Sequence, residues 1–102
     1  MQLIQLLLPL YDGKGNAFFS DHYDKIKQEL TNRYGGLTAY TRSPASGTWK
    51  KENNTIVKDD IYVFEVMVEK IDKEYWVSYK KKLMELFQQD EIVIRSTQIT
   101  LL

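Results

Sequence analysis

The 102 residues carry 14 Lys plus Arg against 14 Asp plus Glu, 43% apolar and 27% charged residues, and no cysteine. That length and composition fit one globular domain over residues 1–102 and exclude a disordered or fibrous chain. The missing cysteines exclude disulfides, a thiol nucleophile and thiolate metal sites. The balanced charge argues against a phosphate-gripping nucleic-acid binder, whose affinity comes from counterion release.

The opening MQLIQLLLPL has no basic leader and no cleavage site, and it is shorter than the ~18 residues of a spanning helix. Residues 2–10 therefore read as a buried strand of a cytoplasmic protein with no membrane partner. YDGKGNA at 11–17 reads as a turn-rich loop. Helix one follows, with Ser20 as N-cap, Asp21 in its first turn and an apolar stripe of Phe19, Tyr23, Ile26, Leu30 and Tyr34. Gly35 stands where the helix needs a left-handed residue to stop.

Residues 37–43 predict a second strand, broken by SPASG. TWKKENNTIVK then reads as two short arms around an Asn53-Asn54 turn. Residues 60–69, DIYVFEVMVE, are dense in β-branched and aromatic types and predict the third strand. Asp72 caps helix two, whose stripe is Trp76, Tyr79, Leu83, Leu86 and Phe87. Residues 91–96 predict the fourth strand, which the alternating tail TQITLL can extend.

Strand, helix, strand, strand, helix, strand is the order of an α+β, ferredoxin-like βαββαβ unit. Right-handed crossovers give a four-stranded antiparallel sheet of order 4-1-3-2 with both helices on one face. Alternation assigns Ile4, Leu6, Leu8, Leu10, Leu37, Ala39, Tyr62, Phe64, Val66, Val68, Ile92 and Ile94 to the helix side. The other side holds Leu3, Gln5, Leu7, Thr38, Tyr40, Arg42, Ile61, Val63, Glu65, Met67, Val93 and Arg95. Six of these are aliphatic or Met. At roughly 40 Å² of apolar area each, about 240 Å² left wet represents about 6 kcal/mol of unused burial. This face is expected to be covered by a second copy in a homodimer.

Glu65, a carboxylate on a central strand of a face about to be buried, needs a partner. Arg42 and Arg95 share its face, with Tyr40 close by. Two readings follow: an ion pair that fixes dimer register, or a small pocket in which an arginine holds an anion and Glu65 acts as general base. Trp49, in the excursion between strands two and three, either caps the core edge or closes that pocket.

The remaining motifs read structurally. DGKGN lacks the spacing of a phosphate loop, and Gly35-Gly36 follows a helix where phosphate glycines precede one. His22 reads as a surface residue without metal-ligand spacing, and no metal site is expected. Lys80, Lys81 and Lys82 read as a solvated face. Asp59 and Asp60 read as strand-start residues bonding backbone amides rather than a cation site. Asn53–Thr55 matches a glycosylation acceptor, which carries no meaning without a secretory signal.

The pattern GGLTAYTR…GTW…VFEVMV resembles small bacterial proteins of unknown function with a dimeric ferredoxin-like fold, over Leu6 to Ile94. The resemblance implies fold and dimerisation, with no catalytic residue; no cofactor is expected. At fold level alone the chain is similar to the dimeric α/β barrels that include cofactor-free oxygenases and lactone isomerases. The leading expectation is a homodimer holding a small anionic or aromatic ligand near Tyr40, Arg42, Trp49, Glu65 and Arg95. The alternatives are a cofactor-independent enzyme using Glu65, and a nucleic-acid or protein interaction module. RNA-binding modules of this fold stack bases on strand aromatics, and here those positions hold Leu, Val and Ile.

Overall fold

Alternate residues of the first strand, β1 (Gln2–Pro9), differ sharply in burial: Ile4, Leu6 and Leu8 are buried and their neighbours only half so. The same alternation runs through the third strand, β3 (Ile56–Val68), where Phe64, Val66 and Val68 are buried. The computed structural model describes the backbone of residues 1–102 and all side chains except those of Ser43 and Lys58. Its elements are β1, α1 (Ser20–Tyr34), β2 (Thr38–Lys50), β3, α2 (Lys73–Leu86) and β4 (Ile94–Gln98). They form an α+β structure of two helices and an antiparallel sheet. Across the sheet the order is β2-β3-β1-β4, the expected one read from the other edge.

Both helices bury their stripes against one sheet face. Tyr23, Ile26 and Leu30 of α1 join Trp76, Tyr79 and Leu83 of α2 in one cluster with the inward strand residues, Phe87 and Ile92. Leu37, Ala39, Tyr62 and Ile94 pack half-buried at its margin. Phe19, expected in the α1 stripe, is instead 79% exposed and takes the N-cap position, while Phe18 packs inward. Ser20 is consequently the first helical residue rather than the cap, and α1 has no side-chain cap. At its other end Gly35 adopts φ 82°, and its N–H bonds the Thr31 carbonyl at 2.8 Å. Asp72 caps α2, accepting from the Tyr75 N–H at 3.1 Å.

The middle of the chain departs most from expectation. SPASG does not end the second strand. Between Tyr40↔Val63 and Ala45↔Ile61, β2 advances five residues while β3 advances two, so the extra backbone forms a bulge that absorbs Pro44. Pairing then resumes to Lys50↔Ile56. The sheet thus carries more strand than expected, because the two short arms continue β2 and β3 as a long hairpin. Its tip is the Asn53-Asn54 turn, with Asn54 at φ 67° and Lys51 N–H bonding Thr55 O at 2.8 Å. The fourth strand starts later than expected, at Ile94, and the tail continues it by one further bond from Ile99 N–H to Met1 O at 3.1 Å.

Surface charges tie the helices to their neighbours. Lys82 reaches Glu29 of α1 and Lys80 reaches Glu91, each at 2.7 Å, so the basic run is a solvated, paired face. His22 is half-buried, its ring stacked on Phe18 and edge-on to Phe87, not the open surface residue expected.

Phe64, fully buried beneath both helices, tests this packing: Phe64→Ala should lower unfolding free energy by about 3–5 kcal/mol in denaturant titration. Burial, reinforced by Tyr62 and Tyr11, pushes the Tyr23 phenol up to about 12 from its usual 10.0. Folding therefore favours the protonated phenol, and its stabilisation is complete below pH 10 and lost as pH rises from 10 towards 12. Melting temperature should fall across that window, and Tyr23→Phe should flatten the fall.

Candidate functional site

Because β1 lies between β3 and β4, one residue of β1 can touch side chains on both neighbours. Gln5 is opposite Glu65 on one side and Arg95 on the other, and Thr38 is opposite Glu65 from β2. All four lie in one row on the face without helices. The row is wired. Gln5 Nε2 donates to Glu65 Oε1 at 2.7 Å, and Arg95 Nε donates to Gln5 Oε1 at 2.9 Å. The Tyr40 hydroxyl donates to Glu65 Oε2 at 3.3 Å.

The structure therefore brings together three of the residues expected there, Tyr40, Glu65 and Arg95, through a fourth that sequence reasoning placed on the face but gave no role. Among the described residues Glu65 makes no direct ion pair with Arg95 or Arg42. Gln5 stands between the charges, and the amide satisfies both because it offers a donor and an acceptor. The missed signal was register. Alternation alone tells which face Gln5 shares, whereas only the pairing of β1 with both neighbours makes it the bridge.

Apolar rows flank the polar one. Met67 and Leu3 pair on one side; Val63 and Leu7 pair on the other, where the Leu7 N–H also bonds Val93 O at 3.0 Å. Met67 is 52% and Val93 44% exposed in the single chain, with Leu3, Leu7, Ile61 and Val63 half-buried.

The other two candidates lie elsewhere. Arg42 is exposed in the irregular stretch where β2 slips against β3. Trp49 pairs with Val57, eight residues from Glu65, which is roughly 26 Å along an extended strand. It neither caps the core edge nor closes a pocket over Glu65. It is 48% exposed, and its indole N–H donates to Asp59 at 2.6 Å.

Asp59 and Asp60 lie inside β3 rather than at its start, and they accept from Trp49 and the Ser46 hydroxyl, not from backbone amides. With Pro9, Tyr11, Asp12 and Gly15 they line an open cleft of about 320 Å³. Asp12 there is committed to its own loop. It accepts the backbone N–H groups of Asn16 and Lys14, which hold its carboxyl below the usual range, Asn16 most strongly. This makes DGKGN a self-bonded turn. Among the described residues no cluster of three His, Asp or Glu side chains could hold a metal ion, and no helix is long and apolar enough to cross a membrane.

No family model and no curated protein matches the sequence. Solved structures that share its fold include two of phage SAM lyase. A phage SAM lyase in complex with S-methyl-5'-thioadenosine superposes with a TM-score of 0.65 at 14% identity, over 95% of this chain and 80% of that one. A phage SAM lyase in the apo state gives 0.59 at 15% identity, over 94% and 78%. At such identities the likeness is one of backbone architecture.

Removing the bridge tests the wiring. Gln5→Ala should lower stability by about 1 kcal/mol, and Gln5→Glu should cost more, since it sets a second carboxylate against Glu65. Equal melting temperatures for both variants and the parent would show that the row contributes nothing.

Proposed function

We propose that the chain is a self-associating ferredoxin-like domain, with an extended β2–β3 hairpin, whose helix-free sheet face is covered by a second copy. The interface encloses the row of Tyr40, Glu65, Gln5 and Arg95 as a small polar chamber able to hold a small anionic or aromatic ligand. One observation carries this: a hydrogen-bonded polar row lies between apolar rows on a face that the chain's own helices leave open.

The physical argument is one of area. Four strands at ~4.8 Å spacing and eight residues at ~3.3 Å span roughly 19 by 26 Å, about 500 Å² in projection. Corrugation by side chains brings that towards the ~800 Å² per partner of a standard interface. Zero net charge leaves little long-range repulsion to hold two copies apart.

The ligand reading rests on what the row has left over. Glu65 accepts two bonds, and among the described residues Arg95 uses only its Nε, leaving two guanidinium NH₂ groups to meet an anion. The phenol ring of Tyr40, half exposed, offers a surface for an aromatic group. A catalytic reading, with Glu65 as general base, draws support from the fold neighbours being lyases, one holding S-methyl-5'-thioadenosine. That nucleoside is accordingly the first ligand to try.

Sedimentation equilibrium should give twice the 12.0 kDa chain mass. Glu65→Gln, which keeps shape and loses charge, should weaken association at least ten-fold with the fold intact. Retained association together with loss of S-methyl-5'-thioadenosine binding would favour a ligand or catalytic role for Glu65 instead.

A further inference from the structure

The polar row is asymmetric: it begins with a carboxylate on β3 and ends with a guanidinium on β4, with an amide between them. Self-covering of this face, on which the following rests, leaves two simple ways to place a symmetric second copy. They differ in what meets Glu65.

If the two-fold axis runs across the strands, position along the strand is reversed and position across the sheet is kept. Glu65 then faces the second copy's Glu65, and Arg95 faces its Arg95. Like charges meet in an apolar shell, which is costly. The row of Met67 and Leu3 also exchanges places with the row of Val63 and Leu7.

If the axis runs parallel to β1, position along the strand is kept and position across the sheet is reversed. The polar row then lies on the polar row, and each apolar row lies on its own counterpart. The acidic end of each copy meets the basic end of the other, while Gln5 lies over Gln5. The aligned packing of two sheets, within about 30° of parallel, preserves this correspondence near the axis. Arg95 is exposed and its terminal nitrogens have no partner among the described residues, which leaves them available to a second copy.

We infer that two copies pair face to face about an axis parallel to β1, so that Arg95 of each completes the coordination of Glu65 on the other. The polar chamber is then shared: each half takes its acid, phenol and amide from one chain and its guanidinium from the other. The chain's own sheet supplies only the relay, and the direct ion pair forms between copies.

Charge reversal distinguishes this arrangement from a row that works within one chain. Glu65→Arg makes a subunit with two basic ends, and Arg95→Glu makes one with two acidic ends. Each alone should self-associate at least 100-fold more weakly than the parent by sedimentation. Mixed one to one, they should form a heterodimer approaching the parent's affinity, because both cross-copy pairs become complementary. Near-UV circular dichroism checks that each is folded. Should a reversal not fold, Arg95→Gln replaces it, with at least ten-fold weaker self-association expected and unchanged affinity overturning the inference. A dimeric parent whose folded charge variants gain nothing on mixing would overturn this pairing while leaving the covered face standing. A monomeric parent would overturn the covered face itself, and the pairing with it.

Discussion

Everything in this fold follows from both helices packing on the same side of the sheet. Two amphipathic stripes, Tyr23–Ile26–Leu30 and Trp76–Tyr79–Leu83, meet one set of alternate strand residues and close a core around Phe64 and Phe87. The connectivity favours it: each helix joins two strands of the same sheet, and crossovers of one hand put both helices on one side. One consequence is unavoidable: the opposite set of alternate residues receives no cover from its own chain. A sheet face left to water normally becomes polar. Here Met67, Val93, Leu3 and Leu7 stay apolar, and among them Glu65, Gln5, Arg95 and Tyr40 are wired to one another.

That wiring gives the face a direction. Buried polar groups are tolerated when hydrogen-bonded, and Gln5 serves Glu65 and Arg95 together because its amide presents opposite ends to opposite charges. A leucine at that position would leave a carboxylate and a guanidinium about two strand spacings, or ~10 Å, apart. The row is thus a within-chain dipole set into a greasy surface. Such a pattern favours one partner orientation over others, which is how polar groups in an interface contribute specificity more than affinity.

Much of the architecture was legible because two periodicities are strongly written. Period two in LIQLLL and YVFEVMV separates inward from outward residues, and the helical stripes mark their buried sides almost residue by residue. Gly35 and Asp72 announce their helix ends through the backbone chemistry each can satisfy. Where the reading failed, competing physics won. Pro44 and Gly47 look like breakers, yet a bulge lets β2 pass through them because β3 continues beside it as a template. Phe19 sits at helical spacing but precedes the first turn, so its side chain points to water. The candidate site was half legible. Face membership of Tyr40, Glu65 and Arg95 follows from alternation, but the role of Gln5 depends on register, and the distance of Trp49 depends on how far the hairpin extends.

The central claim is that solvent does not reach the helix-free face in the working molecule. Met67, half exposed in the single chain, reports on it directly. The measurement is the rate of peroxide oxidation of each methionine, read by peptide mass spectrometry over a dilution series. At high protein concentration Met67 should oxidise several-fold more slowly than at high dilution, where copies separate. Equal rates at every concentration would mean that this surface stands open to water, and the account would be wrong.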